Sequence, residues 1–194
     1  VDRIKDARLD QGVSNATVNR TLEILRGVLL RARDDWEWVD KVPKVRLLKE
    51  PKRRIRWITR DEAERLLREL PDHLEAMARF SLATGLRQGN VKGLEWSQVD
   101  VEREAAWIHP DQAKSRRAMA VPLNLEALAV LRRERGKHPT RVFTYQGRPV
   151  TQVNTKAWRG ALERAGIQGF RWHDLRHTCA SWHVQEGTPL YVLQ

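Results

Sequence analysis

The stretch Trp172-His173-Asp174-Leu175-Arg176-His177-Thr178-Cys179-Ala180-Ser181-Trp182 constrains the chain more than any other. As a helix it carries two stripes. His173, Arg176, His177 and Ala180 fall at i, i+3, i+4 and i+7 on one face, and Leu175, Thr178, Cys179 and Trp182 lie roughly opposite. An apolar back fixes such a helix in a core, and the front then holds an imidazole and a guanidinium one turn apart. The guanidinium fork matches two phosphate oxygens, and an imidazole moves protons near neutral pH. That pairing suits a site that works on a phosphodiester. The same residues also describe a solvated helix face, and alone they leave both readings open.

At 194 residues the chain has room for one or two domains and a substantial core. A hydrophobic fraction of 41% beside 31% charged residues is the composition of a water-soluble globular protein. Lys and Arg number 36 against 25 Asp and Glu, a net charge of +11, which favours a polyanionic partner such as nucleic acid. A basic chain kept in solution by its charge is the alternative. The lone Cys179 excludes an intrachain disulfide and fits a reducing cytoplasm. No apolar run approaches a membrane span and no signal peptide opens the chain. Most of the eight Trp are expected as core or platform residues. There is no starting Met, and Thr188-Pro189 reads as a helix start shortly before Gln194. The expectation is a fragment whose natural protein continues at both ends.

Residues 1–13 are polar and carry little signal. Ser14-Asn15 start a helix whose stripe Val18, Leu22, Leu25, Leu29 and Ala32 runs to about Asp35. Residues 41–56 form a linker: Pro43 and Pro51 interrupt it, and Lys41, Lys44, Arg46, Lys49, Lys52, Arg53, Arg54 and Arg56 are opposed only by Glu50. Such a strap either follows a phosphate backbone or stays a solvated tether. A second domain begins near Trp57, with a capping box at Thr59 and Glu62 and a helix to about Leu70. Pro71-Asp72 opens the next helix, which Gly85 stops. Arg87 then stands at the start of a short helix, where free N–H groups already favour anions.

The period changes over residues 97–122. Gln98–Val101, Ala105–Ile108 and Ala118–Val121 are strand candidates in a small antiparallel meander, with Lys114-Ser115-Arg116-Arg117 in the turn before the third. Asn124 caps a helix to about Arg135. Val142–Thr144 is a short buried extended piece, Gln146–Pro149 a turn, and Thr151 opens a helix ended by Gly166. The His173 helix follows and stops at Gly187.

Ala83-Thr84-Gly85-Leu86-Arg87, then Lys114 before Val121-Pro122-Leu123, then His173-Asp174-Leu175-Arg176-His177-Thr178 together resemble the tyrosine recombinase family, in particular phage and mobile-element integrases. The resemblance implies a mainly α fold with a small antiparallel β-sheet. Residues 57–194 would be the catalytic domain, 41–56 the basic linker and 1–40 part of a helical core-binding domain, the two domains clamping duplex DNA. It implies that Arg87 and Arg176 hold the scissile phosphate, that Lys114 protonates the departing 5′ oxygen, and that His173 is an acid/base group beside the phosphate. A tyrosine would form a 3′-phosphotyrosyl link, with other protomers assembled as a tetramer on two duplexes. His177 and Asn90 are supporting residues in this reading. Lys52, Arg53, Arg54, Arg56 and Arg116 are candidate backbone contacts. No cofactor and no metal are expected, since two guanidinium groups neutralise the phosphate charge. The resemblance also implies a bacterial or phage-encoded protein of the cytoplasm.

Two departures from the family pattern stand out. Asn90 occupies the place of a customary Glu three residues after the first Arg. The only tyrosines are Tyr145 and Tyr191, and neither sits where the family's nucleophile is found, so this stretch is expected to bind DNA without cleaving it in cis. Three rivals remain: a DNA-binding module of the same fold, a type IB topoisomerase-like strand cutter, and a metal-dependent phosphohydrolase built on His173-Asp174 with His177 and His183. The last lacks further ligands at metal-site spacing among His73, His109 and His138.

Overall fold

The computed structural model describes residues 1–51, 55–113 and 116–189. Lys52, Arg53, Arg54, Lys114 and Tyr191 therefore lie outside the described residues. The chain divides into two compact units, Val1–Arg54 and Ile55–Gln194.

The first unit holds α1 (Asp2–Asp10) and α2 (Asn15–Asp34). The polar opening stretch, which gave no periodic signal, is helical. It buries no residue, and its visible supports are local polar pairs such as Lys5 to Asp2 at 3.0 Å and Arg8 to Gln11 at 2.7 Å. Ser14 caps α2 by accepting from Thr17 N. Val18, Leu22 and Ala32 of the expected stripe are buried, whereas Leu25 and Leu29 are only half-buried. Buried Asn19 organises the chain that returns to α2. Its Nδ2 donates to Leu48 O at 2.9 Å and to Glu50 Oε1 at 2.8 Å, and its Oδ1 accepts from Leu48 N at 2.8 Å. The carboxamide thus pairs with the returning backbone as a strand neighbour would, and all three bonds offset its burial.

In the second unit the elements are α3 (Arg60–Glu69), α4 (Asp72–Thr84), α5 (Gln88–Gly93), β1 (Val99–Asp100), β2 (Ala105–Ile108), β3 (Met119–Pro122), α6 (Leu125–Glu134), β4 (Thr144–Tyr145), β5 (Arg148–Pro149), α7 (Lys156–Arg164) and α8 (Asp174–Gln185). It is mainly α with a small antiparallel sheet. At the start of α3 both halves of the capping box are made: Glu62 N donates to Thr59 Oγ1 and Thr59 N to Glu62 Oε2. Leu74, Ala76, Met77, Ala78, Phe80 and Leu82 bury α4 on every side. A helix apolar all round must sit in the middle of a core, and α4 packs against α6, α8, α5 and α3. Gly85 ends it at φ 63°.

The sheet order is β1-β2-β3, with Ala106 facing Val121 and Ile108 facing Met119. Ala106 and Ile108 point inward and Trp107 outward, the alternation of a half-buried strand. Gln98 belongs to a 3-10 turn (Trp96–Gln98) rather than to β1, because its side chain closes that turn on Glu95 N. Arg148 and Pro149 form a strand paired with Tyr145 and Thr144, so the turn is shorter than expected. The helix expected from Thr151 starts at Lys156. Thr155 is the residue that accepts from Trp158 N, while Thr151 O accepts from Lys92 Nζ at 2.6 Å and Val153 is buried ahead of the helix.

The tryptophans also depart from expectation. Trp158 and Trp172 are core and Trp96 and Trp182 are partly buried, but Trp36, Trp38, Trp57 and Trp107 are exposed. Trp158 and Trp172 pack at 4.7 Å between ring centroids, with Phe170 on the other side of Trp158. This cluster seats the chain immediately before His173. Trp172→Ala should cost about 3–5 kcal/mol in chemical denaturation. Trp172→Phe should cost far less, because the buried indole N–H has no acceptor among the described residues.

Candidate active site

The Gly85 turn and the head of α8 meet in the second unit. Arg176 Nη1 donates to Gly85 O at 2.5 Å. Two residues on, Arg87 is the N-terminal flanking residue of α5. The same turn therefore holds one guanidinium and carries the other. Arg87 lies close enough to oppose the charge on Arg176. The Arg176 guanidinium is held below its ordinary value, first by burial and then by Arg87. It stays cationic, since an arginine does not give up its proton at any physiological pH.

His173 flanks the N-terminus of α8 with φ −64° and ψ −23°, and it is exposed to solvent. Its ring centroid is 5.1 Å from that of His177, edge to face. Burial pushes the His173 imidazole below the ordinary value, and His177, Arg176 and Arg87 add to this while Asp174 opposes it. A neutral imidazole beside two fixed cations can accept a proton, or donate the one on its other nitrogen. Asp174 is occupied otherwise: its Oδ2 accepts from Arg171 N at 2.8 Å and closes the turn bearing Trp172 and His173. Among the described residues no group of three or more His, Cys, Asp or Glu is placed to hold a metal ion.

Arg87, His173 and Arg176 thus share one electrostatic neighbourhood, with His177 against His173. Asn90 is buried in α5, and its Nδ2 has no hydrogen-bond partner among the described residues. Arg56 is engaged locally, donating to Trp57 O at 2.8 Å and lying 3.9 Å from Glu62. Arg116 is exposed at φ 53° in the turn before β3. Tyr145 stacks on His73 at 4.2 Å.

Several parts of the site carried no sequence signal. The carbonyl of Gly85 is invisible in a motif, yet it orients Arg176. A cavity of about 540 Å³ lies alongside, between residues 83–86, the β3 backbone and the α8 face bearing Arg176, His177, Ala180 and His183. Cys179 packs under Gly85, with Sγ 3.2 Å from where a β-carbon on residue 85 would stand. Burial raises the Cys179 thiol to about 11.

Comparison with known proteins gives the family of the chain. Residues 56–194 match the model of the phage integrase family. The integrase of Salmonella phage P22 is 42% identical over 192 residues, covering 92% of this chain and 50% of the relative. The integrase of Escherichia phage 186 is 30% identical over 191 residues, covering 94% and 52%. In fold, the Tn1549 transposon integrase in complex with a circular intermediate DNA superposes with a TM-score of 0.78 at 18% identity, over 98% of this chain and 73% of that one. The catalytic domain of bacteriophage HP1 integrase gives 0.54 at 26% identity, over 72% and 78%. The chain belongs to the phage integrase family of tyrosine recombinases. It spans about half the length of the curated relatives it matches.

Two measurements check the packing of this site. Gly85→Ala forces a left-handed alanine against Cys179 and should lower stability by about 1–2 kcal/mol in urea unfolding. Cys179 should resist iodoacetamide at pH 8 in the folded chain and react on unfolding, because only the thiolate attacks and burial disfavours it.

Proposed function

We propose that this chain grips a phosphodiester of duplex DNA between Arg87 and Arg176, as part of a site-specific recombinase that cuts and rejoins strands through a 3′-phosphotyrosyl intermediate. The observation that carries the reading is the bond from Arg176 to Gly85 O, which brings Arg176 and His173 at the head of α8 to the turn that leads into Arg87 at the start of α5. Two fixed cations neutralise charge that grows on the non-bridging oxygens as a tyrosine oxygen attacks phosphorus. The P–O5′ bond breaks, and Lys114 supplies the proton to the departing oxygen. The phosphotyrosyl bond keeps the ester energy, so a 5′-hydroxyl can reverse the step on another strand without ATP. His173, with an imidazole that favours the neutral form, is the acid/base group beside the phosphate. His177 and Asn90 are supporting residues.

Tyr145 is a packing residue in this reading and Tyr191 is not the nucleophile. The 194 residues therefore bind and hold the phosphate, and cleavage needs a tyrosine supplied from outside them. Residues 57–194 form the catalytic domain, 41–56 the basic linker and 1–40 part of the core-binding domain. Lys52, Arg53, Arg54, Arg56 and Arg116 track the backbone, and the assembled recombinase is a tetramer on two duplexes. Among the described residues no helix is long and apolar enough to cross a membrane.

The test has two arms. The chain should bind duplex DNA in fluorescence anisotropy with an affinity that falls steeply with salt. In a protein extended to carry the nucleophile, Arg176→Ala should cut covalent protein–DNA adducts by about 10²-fold or more, while salt-sensitive binding largely persists. Adducts without recombinant product would favour a topoisomerase-like cutter, and binding without adducts a non-cleaving module. Normal cutting by Arg176→Ala would reject the site assignment.

A further inference from the structure

The helix that carries Arg176 is gripped from behind by the segment through which the chain enters the second unit. Residues 55–59 have no regular secondary structure and lead into α3. Ile58 is buried, and side chains of α8 satisfy both of its backbone polar groups. Ile58 N donates to Thr178 Oγ1 at 3.3 Å, and Ile58 O accepts from Trp182 Nε1 at 3.0 Å. The Thr178 hydroxyl donates in turn to Asp174 O at 2.8 Å, so its hydrogen and a lone pair are both committed. Arg60 closes the arrangement: its guanidinium sits 4.3 Å from the Trp182 ring centroid and pairs with Glu186.

A back face needed only for stability would be apolar throughout, as it is at Leu175 and Cys179. Thr178 and Trp182, one turn apart, instead direct polar atoms at the backbone of a single distant residue. Apolar contacts let a helix slide or roll by small amounts. Two directional bonds a turn apart fix both its axial position and its rotation. Arg176 and His177 immediately precede Thr178 in the helix and turn toward the other face.

We propose that Thr178 and Trp182 are positioning residues: they clasp Ile58, and through that clasp the entry segment sets the placement of α8 and so of Arg176 and His177. The functional meaning of the clasp rests on the phosphate-gripping role of Arg176. Its existence as a positioning device does not, and it is tested without DNA.

His173, at the head of α8, is the reporter, because its titration responds to His177, Asp174 and Arg176 on the same helix and to Arg87 on α5. The histidines of the whole chain are titrated by NMR in wild type, Thr178→Val, Trp182→Phe and Thr178→Ser. Thr178→Val deletes one bond at nearly constant shape, and Trp182→Phe deletes the other while keeping an aromatic ring. Both should move the His173 midpoint back toward the ordinary histidine value by about 0.3 unit or more, a twofold change in proton affinity. Thr178→Ser should restore the wild-type midpoint. His73, which stacks on Tyr145 at the start of α4, should stay fixed. An unchanged His173 in folded variants overturns the proposal, and so does an equal shift at His73, which would mean general loosening. Should buried Thr178→Val fail to fold, the more exposed Trp182→Phe decides alone.

Discussion

The hydrogen bond from Arg176 to the carbonyl of Gly85 ties together the two parts of the second unit on which its chemistry rests. It spans from the first turn of α8 to the last residue of the α4 cap. A guanidinium bears five donors, so one can be fixed to the protein while others remain to meet an anion. The acceptor is backbone, and α4 is the most deeply buried helix of the chain. Arg176 is therefore anchored to the end of a deeply buried core helix. Arg87 is referred to the same element, since it stands two residues beyond that carbonyl.

This arrangement keeps like charges together at a cost. Two guanidinium groups repel, and burial of Arg176 adds to the penalty. The apolar core of the second unit, in which Phe80, Leu74, Trp158 and Trp172 are buried, offsets that cost; each such side chain contributes roughly 1.5–3 kcal/mol on burial. An anion bound between the arginines would relieve the repulsion.

Much of this was legible from local chemistry. Ser14, Thr59 and Asn124 announced helix starts because a side-chain oxygen three residues before a free N–H satisfies it whatever the tertiary context. Gly85 announced a stop for a similarly local reason. Thr151 and Thr155 are equivalent on those terms, and the choice between them is tertiary: Trp158 and Val153 are both buried, and only a start at Thr155 allows that. The opening helix α1 has no buried stripe to read. The motifs around Arg87 and Arg176 singled out these residues by likeness to a family. Their approach to one another depended on α4 and α8 packing side by side, which no spacing encodes. The Gly85 carbonyl and the Ile58 clasp were hidden for the same reason, being backbone partners of distant side chains.

Asn19 shows what one carboxamide can impose. It meets Leu48 through donor and acceptor at once and reaches Glu50 with its remaining hydrogen. Slippage of the returning chain by a single residue would strand that amide in the interior, at a penalty of about 1–3 kcal/mol. The path after α2 is thereby indexed like a ratchet tooth, with one permitted notch, although the segment itself has neither helix nor strand to hold it.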